Sequence, residues 1–297
     1  MIDRLEYFIA LARTRHFGRA AEECGVTQPS FSAAIKQLEE TLGVRLAERG
    51  SRFQGLTPEG ERVLAWARRI AGDARAMREE MRAARSGLDG RLRIAAIPTA
   101  LAMLPELTGP FRERNPAVTF SVLSHTSTRI REMVRNFEAD VGVTYLDDGA
   151  MPAQGVALYR ERYRFITLAG GPLARARQVS WAELAAQPLG LLTPDMRNRR
   201  IINGVLEAQG LSVRPVVEAN SILALFAHVR AGECSTVMPI TLAEHLALVG
   251  ELRAIPITGP ETSHVVGVVA PEREPHTPLV AAFLAQAARF GQGLAPA

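Results

Sequence analysis

Apolar residues recur at helical spacing between Arg19 and Leu42, and this pattern predicts two short helices. The stronger stripe steps by four, three and four residues, which places its members on one narrow face of a helix. Those members are Phe31, Ile35, Leu38 and Leu42. A smaller apolar face precedes this stripe and ends at Gly25, a residue type that favours the end of a helix. The segment is therefore predicted to form a helix pair with a tight turn.

The second helix of the pair carries a small, polar outward face. Thr27 stands at its N-cap position, and Pro29 falls in its first turn, where the missing N–H costs nothing. Such a face enters a DNA major groove without steric conflict and offers donors to bases and phosphates. The candidate DNA-contacting residues on it are Thr27, Gln28, Pro29, Ser30, Ser32, Ala33 and Lys36. The alternative is an ordinary helix pair with a solvated outer face.

A basic, glycine-flanked loop follows this helix. It covers residues 47–55 and contains Arg49 and Arg52, which join the candidate DNA contacts. Thr57 and Pro58 then supply an N-cap and a first-turn proline for another helix. A basic loop in this place is typical of a wing that sets an arginine on the DNA backbone or in the minor groove.

Residues 58–86 are predicted to form one long helix. Apolar residues along it step by three or four, an average of about 3.5 that is typical of a coiled-coil seam. They are Val63, Trp66, Ile70, Ala74, Met77, Met81 and Ala84. At 1.5 Å per residue the helix is roughly 43 Å long, too long to be buried within one small domain. We interpret it as a dimerisation helix; a helix that lies on the following domain is the alternative.

The rest of the chain alternates predicted strands and helices. Residues 87–90 break the long helix and mark a boundary. Beyond them the alternation is typical of a parallel sheet with crossover helices.

The first 60 residues also carry a specific resemblance. The matching segments are Leu5-Glu6-Tyr7-Phe8, Ala20-Ala21, Thr27-Gln28-Pro29-Ser30-Phe31-Ser32, Ile35-Lys36-Gln37-Leu38-Glu39, Leu42-Gly43, Leu46, Glu48-Arg49 and Leu56-Thr57-Pro58-Glu59-Gly60. These segments resemble the winged helix-turn-helix of LysR-type transcriptional regulators. Cys24 and Ala47 depart from the family pattern, which mostly has leucine and phenylalanine there. Both positions are of a core type, so the departures concern local packing.

The resemblance implies an α/β protein in three parts. The parts are an α-rich winged helix-turn-helix domain at 1–57, a linker and dimerisation helix at 58–87, and an effector-binding domain at 91–297. The last is expected to have two Rossmann-like lobes, as in type 2 periplasmic binding proteins. Lobe I would cover 91–160 and 269–297, and lobe II 161–268. Crossings near Arg162 and Gly267 would form a hinge.

Polar residues cluster where an effector is expected. In such sheets a ligand binds beyond the carboxyl ends of the strands, at helix N-termini. The candidate residues there are Thr99, Ala100, Ser127, Thr128, Thr144, Thr193, Arg197 and Ser221. Hydroxyl and free N–H groups at helix N-termini favour a small anion, typically a carboxylate. The alternative is that each hydroxyl is only an N-cap.

Composition further limits the classes of protein to which the chain can belong. A net charge of +4 over 297 residues is low for a protein that binds polyanions non-specifically. DNA affinity must therefore come from local arginines and from the pairing of two DNA-binding domains. We expect no membrane partner, because no run of 18 apolar residues occurs, and a cytoplasmic protein, because the chain starts with an amphipathic helix instead of a signal peptide. Cys24 and Cys234 lack metal-ligand spacing, which predicts two buried thiols; a thiol sensor at Cys234 is the alternative.

These features predict a sequence-specific DNA-binding transcriptional regulator that is controlled by a small, anionic metabolite between the lobes. No nucleophile–base pair, phosphate-cradling loop or metal spacing suggests an enzyme, and we expect no cofactor and no metal. The expected partners are double-stranded DNA with an imperfectly palindromic operator, the small-molecule effector, RNA polymerase, and further copies of the chain in a homodimer or homotetramer. A solute-binding protein or enzyme of the same two-lobe fold, or a nucleoid-type DNA binder, would leave a large part of the chain unexplained.

Overall fold

The computed structural model describes residues 1–49, 53–147, 155–247 and 250–293. The chain folds into two compact units. The N-terminal unit comprises Met1–Gly87 and Pro275–Pro278, and the C-terminal unit comprises Leu88–Glu274 and Leu279–Ala297. The candidate DNA contacts all lie in the first unit, and the candidate effector contacts all lie in the second.

Four helices and a two-stranded antiparallel ribbon make up the described part of the N-terminal unit. In chain order they are α1 (Ile2–Thr14), α2 (Phe17–Glu23), α3 (Gln28–Leu42), β1 (Ala47–Arg49), β2 (Phe53–Leu56) and α4 (Pro58–Ser86). The predicted helix pair is confirmed as α2 and α3, and the ribbon after α3 is the predicted wing.

The core of this unit forms around the apolar stripe of α3. Phe31, Ile35 and Leu38 are buried, as predicted, together with Phe8 and Leu11 of α1. The prediction was wrong for Leu42, whose surface is 41% exposed. Leu42 is the last residue of α3, and Gly43 turns the chain away from the core at a φ of 69°.

The wing is held against α3 and α4 at its base. The Glu39 carboxylate of α3 accepts a hydrogen bond of 2.9 Å from the backbone N–H of Leu46. Gly60 in the first turn of α4 packs directly on the same residue, because a Cβ there would lie 2.0 Å from the Leu46 carbonyl oxygen. Only glycine fits this close approach of two backbones.

Beyond Gly87 strands and helices alternate as the pattern predicts. In chain order they are β3 (Gly90–Ala96), the 3-10 helix η1 (Pro98–Met103), α5 (Leu104–Arg114), β4 (Val118–Ser124), α6 (Ser127–Arg135), β5 (Val141–Tyr145), β6 (Val156–Glu161), β7 (Tyr163–Leu168), β8 (Val179–Ser180), α7 (Trp181–Ala185), β9 (Gly190–Leu192), α8 (Arg197–Ala208), β10 (Val217–Ala219), α9 (Ile222–Arg230), β11 (Thr236–Pro239), α10 (Ile240–Ala247), β12 (Leu252–Thr258), β13 (His264–Val269) and α11 (Pro278–Gly293).

These strands form two separate groups. The first lobe has a five-stranded sheet in the order β4-β3-β5-β13-β6. The second lobe has a four-stranded sheet in the order β11-β7-β12-β8 and the parallel pair β10-β9. Phe283 of α11 lies 5.5 Å from Phe111 of α5, ring centre to ring centre, so the last helix packs on the first lobe, as expected.

The prediction of a parallel sheet was only partly correct. Strand β3 is parallel to β4 and to β5, but β13 is antiparallel to β5 and to β6. Strand β7 is likewise antiparallel to β11 and β12. An antiparallel neighbour needs no crossover helix, and β13 enters the first sheet directly on returning from the second lobe.

The predicted return point near Gly267 was also wrong. Strand β13 pairs with β5 and β6 from His264 to Val269, so its whole length belongs to the first lobe. The chain crosses back before His264, within residues 259–263. The other crossing, near Arg162, lies between β6 and β7 as predicted.

Candidate DNA-binding surface and interlobe pocket

The outward face of α3 presents the predicted DNA contacts to solvent. Thr27, Gln28, Pro29, Ser30, Ala33 and Lys36 are exposed, and Ser32 is half-buried. Thr27 also caps the helix, since its hydroxyl accepts a hydrogen bond from the Ser30 backbone N–H. The N-terminal end of α3 thus combines exposed polar side chains with the positive end of a helix dipole, an arrangement that suits phosphates and base edges.

Lys36 is the cation on this face. Its ammonium group lies 3.7 Å from the Glu40 carboxylate one turn away, and both side chains are mostly exposed. An exposed pair of this kind is worth at most about 1 kcal/mol, so a DNA phosphate can replace Glu40 as the partner of Lys36.

Replacing Lys36 with alanine is expected to weaken binding to every DNA sequence by a similar factor. If Lys36 neutralises one phosphate, the slope of log affinity against log salt concentration falls by about 0.9. The measurement is a salt titration of DNA affinity for the wild type, Lys36→Ala and Thr41→Ala, which alters an exposed residue in the last turn of the same helix. An unchanged slope in Lys36→Ala would show that Lys36 does not contact a phosphate.

The two arginines of the wing are only partly described. Arg49 is the last residue of β1, which places it at the tip of the ribbon. Arg52 lies outside the described residues, so its contribution to the DNA-binding surface stays a prediction.

Helix α4 exposes part of the predicted seam. Trp66 and Met77 are 63% and 60% exposed, and Ile70 and Met81 are exposed as well. Ala74, between them, is buried. Large apolar side chains in a row on one helix, left open in the single chain, are typical of an interaction surface.

A small pocket lies between the two lobes of the C-terminal unit. Its volume is about 10 Å³, room for a single water molecule. Three of the predicted effector contacts line it: Thr99, Ser127 and Arg197. Residues outside the list of predicted effector contacts complete the lining: Ile97, Pro98, Thr126, Tyr145, Leu192, Met196 and Asn198.

Two helix N-termini from different lobes meet at this pocket. Ser127 is the first residue of α6, and Arg197 and Asn198 are the first residues of α8. The Ser127 hydroxyl and the Asn198 amide nitrogen are buried, and within the described part of the chain neither has a hydrogen-bond partner. A buried polar group that lacks a partner costs about 1–3 kcal/mol, so both groups favour a ligand that accepts hydrogen bonds.

The other predicted effector contacts do not line the pocket. Ala100 is buried in η1, and Thr128 is exposed on α6. Ser221 is the N-cap of α9, where its hydroxyl accepts a hydrogen bond from the Ala224 N–H. For Ser221 the alternative interpretation, a helix cap, describes the structure.

Thr144 and Thr193 lie outside the lining of the pocket. Thr144 lies two residues after Gly142 in β5, and a Cβ at Gly142 would touch Ile130 of α6. Because side chains alternate along a strand, Thr144 faces α6 and Tyr145 faces the other side. The hydroxyls of Thr144 and Thr193 are buried without partners among the described residues. Both are neighbours of the pocket instead of parts of its wall.

A buried carboxylate behind the pocket was missed by the sequence-based predictions. Glu161 is 1% exposed, and one of its oxygens accepts hydrogen bonds from the hydroxyls of Tyr145 and Tyr163. Burial raises the pKa of Glu161, while the two phenols lower it. Burial also raises the pKa of Tyr145 and of Tyr163 well above the ordinary value. The signal for this cluster was Tyr159, Glu161 and Tyr163 at a spacing of two residues.

Neither cysteine lies in the pocket wall. Cys234 is buried in an apolar cluster with Leu225 and Met238, and burial raises the pKa of its thiol. Cys24 is half-buried in the N-terminal unit, and its thiol pKa is raised mainly by burial too. A raised pKa leaves less of the reactive thiolate.

Two other kinds of site have no candidates within the described ranges. No helix there is long and apolar enough to cross a membrane. No group of three or more histidine, cysteine, aspartate or glutamate side chains there is placed to hold a metal ion.

Two protein-family models match the chain. One is described as "Bacterial regulatory helix-turn-helix protein, lysR family" and matches residues 2–61. The other is described as "LysR substrate binding domain" and matches residues 85–292, well over half of the chain. The first match contains α3 and the wing, and the second contains the interlobe pocket.

Individual proteins resemble the chain as well. A probable hydrogen peroxide-inducible genes activator of Mycobacterium xenopi is 35% identical over 176 residues, 59% of this chain and 93% of that protein. The structure of a cysteine variant of full-length OxyR from Pseudomonas aeruginosa has a TM-score of 0.77 at 25% identity, covering 100% of this chain and 97% of that one.

A third resemblance includes bound DNA. Full-length CbnR complexed with its target DNA has a TM-score of 0.67 at 25% identity, covering 97% of this chain and 99% of that one. With a matching helix-turn-helix at one end and a matching ligand-binding domain at the other, the chain belongs to the LysR family of DNA-binding transcriptional regulators that respond to an effector.

Proposed function

We propose that this regulator responds to a small anion bound between its lobes at Ser127, Asn198 and Arg197. The observation that carries the proposal is the pair of buried, unpartnered polar groups, in the described part of the chain, at the N-termini of α6 and α8. Helix N-termini favour negative charge, and the Arg197 guanidinium adds a cation on the same wall. A carboxylate or an inorganic oxyanion supplies the acceptors that the Ser127 hydroxyl and the Asn198 amide lack among the described residues, and no cofactor is required.

The small size of the pocket suggests how binding is linked to regulation. About 10 Å³ holds one water molecule but no carboxylate, so residues of the wall move apart when the anion enters. Thr99 and Ser127 lie in the first lobe and Arg197 in the second, so a bound anion contacts both. A ligand that prefers one lobe spacing shifts the population toward it.

Peroxide sensing at a thiol is not part of this proposal. Three relatives of the chain are named for hydrogen peroxide, but here the pocket wall contains no cysteine among its described residues. Cys234 is buried, and its raised thiol pKa disfavours reaction with an oxidant.

DNA recognition is proposed to require two or more copies of the chain. The exposed apolar residues of α4 would pair two N-terminal units in a dimer, and two dimers would form a tetramer. A two-fold dimer reads two half-sites, so the operator is an imperfect palindrome. We place this action in the cytoplasm, next to RNA polymerase at the regulated promoter.

A thermal-shift screen of the whole chain against small carboxylates and inorganic oxyanions tests the anion proposal. A ligand at 100 times its dissociation constant adds about 2.7 kcal/mol of stability, a clear rise in the unfolding midpoint. Ser127→Ala should abolish the rise, whereas Thr128→Ala, an exposed neighbour on the same helix, should leave it intact. A ligand whose effect survives Ser127→Ala binds elsewhere, and a blank screen across varied anions contradicts the proposal.

A further inference from the structure

Glu161 joins the two lobes at one of their crossings. It is the last residue of β6 in the first lobe, and Tyr163 is the first residue of β7 in the second. One oxygen of Glu161, Oε1, accepts a hydrogen bond of 2.5 Å from the Tyr145 hydroxyl and one of 2.9 Å from the Tyr163 hydroxyl. A single carboxylate oxygen therefore holds one phenol from each lobe.

The first of these phenols belongs to the pocket. Tyr145 ends β5, lines the interlobe pocket, and is itself buried. Its ring packs edge-on against His264 of β13, with ring centres 6.1 Å apart. Any displacement of the Glu161 carboxyl group is thus transmitted through Tyr145 to one wall of the pocket.

The surroundings of Glu161 contain negative or neutral partners. The Tyr145 and Tyr163 hydroxyls stabilise its charge by hydrogen bonds, and the Thr99 hydroxyl of η1 does so from nearby without a hydrogen bond of its own among the described residues, whereas Asp147, after β5, opposes it. Asp147 is paired with His264, 2.6 Å away. Among the described residues, the hydrogen bonds to this carboxyl group come from the two tyrosines, and no arginine, lysine or histidine pairs with it.

The second carboxyl oxygen of Glu161 is left unpaired. This oxygen, Oε2, is buried, and the described part of the chain offers it no hydrogen-bond partner. A carboxyl group that is buried without a cation, and that leaves one oxygen unpaired, favours its protonated form.

We propose that Glu161 is the joint between the lobes, a proton-binding carboxyl group that holds Tyr145 of the first lobe and Tyr163 of the second on one oxygen and so positions the pocket wall. Glu161 acts through Tyr145 and does not touch the ligand. The assignment of this wall to an effector site rests on the proposed function. The contacts of Glu161 with the two tyrosines do not, because they are present in the ligand-free protein.

A double-mutant cycle in the whole chain tests the joint. Tyr145→Phe and Tyr163→Phe are made singly and together, and the urea midpoint of unfolding is measured for each. Because the two hydroxyls share one acceptor, the double variant should shift the midpoint by an amount that differs from the sum of the single shifts. In a Glu161→Leu background, where the shared acceptor is gone, the departure from additivity should shrink to the part that comes from the direct contact between the two hydroxyls. Additive shifts in the wild-type background would overturn the joint.

The pH dependence of thermal unfolding tests whether Glu161 binds a proton in the folded protein. Burial raises the pKa of Glu161 above its ordinary value of 4.5, so the folded state holds a proton that the unfolded state has released. Stability from this group is then present at low pH and lost as pH rises from about 4.5 through the raised pKa.

The variant Glu161→Gln separates the effect of proton binding from that of the hydrogen bonds to the two phenols. The amide oxygen still accepts from both phenols but binds no proton, so the fall of the unfolding midpoint with rising pH should be lost relative to the wild type. Tyr159→Phe removes a buried phenol from the same strand that has no hydrogen-bond partner among the described residues, and it should keep the wild-type slope. Parallel pH profiles for wild type and Glu161→Gln would overturn the proton-binding role. No ligand is used, so a blank anion screen and a failed joint remain distinguishable.

Discussion

Replacing Phe31 with alanine is expected to unfold the N-terminal unit and to abolish DNA binding. Phe31 is fully buried and stacks on Tyr7 of α1, with ring centres 5.4 Å apart, while Phe17 of α2 meets it edge-on at 6.2 Å. Truncating a buried phenylalanine costs about 3–5 kcal/mol. Native proteins are stable by only about 5–15 kcal/mol, and a small unit lies near the lower end of that range, so this loss removes most of its stability.

The Phe31→Ala experiment pairs chemical unfolding with a DNA-binding assay. Leu42→Ala is the matched control, because Leu42 lies on the same helix but is largely exposed, and it should cost far less. The C-terminal unit should keep its own unfolding transition in both variants. If Phe31→Ala binds DNA with wild-type affinity and unfolds at the wild-type midpoint, α3 does not organise this unit.

Replacing Met77 with glutamate is expected to prevent the proposed pairing of two chains and to lower operator affinity by about a hundredfold or more. Met77 is exposed in the single chain and lies on the apolar row of α4, with Ile70 and Met81 about two turns and one turn away. A charge in an apolar helix seam loses its hydration on pairing, which strongly disfavours the pair. Without pairing, the second half-site is no longer bound at high effective concentration, a loss of about 10²–10⁴ in affinity.

Sedimentation velocity and operator titration together measure this effect. Ala65→Glu adds the same charge at an exposed position of α4 outside the seam, and it should leave both the mass and the affinity unchanged. If Met77→Glu sediments like the wild type and binds the operator as tightly, the apolar row of α4 does not pair the chains.

The elements set by local signals were predictable from the sequence. Helix α4 has the predicted bounds, since Thr57 caps it with its hydroxyl on the Gly60 N–H and Pro58 begins it. Helix α3 begins in the same way at Thr27. Caps, prolines and apolar spacing act within a few residues, so one segment of sequence contains all the information.

Pairing between distant strands was not predictable in this way. The sequence predicts alternating strands and helices in this part of the chain, but the place of β13 between β5 and β6 depends on partners more than 100 residues away. Its direction follows from the return of the chain from the second lobe. Period-two patterns report which face of a strand is buried and not which strand lies beside it.

The position of the candidate pocket was predictable from the sequence, but only some of the residues that line it were. Hydroxyl residues at helix N-termini identified Thr99 and Ser127 correctly as pocket residues, because the carboxyl ends of strands meet at one edge of a sheet. The same signal selected Ser221, which proved to be a cap. Glu161 was missed because its spacing of two residues from Tyr159 and Tyr163 does not by itself place a carboxylate between the lobes; the contacts with β5 and β7 reveal that position.

The most direct test of the central claim is a footprint of the whole protein on the DNA upstream of its own gene, with and without an anion that raises its unfolding midpoint. The account predicts protection of an imperfect palindrome whose half-sites lie on one face of the DNA, and a protected region that changes when the anion is added. It also predicts that Ser127→Ala binds the same palindrome but no longer responds to the anion. Protection without a palindrome, or a footprint that every stabilising anion leaves unchanged, would contradict regulation by an anion in the interlobe pocket.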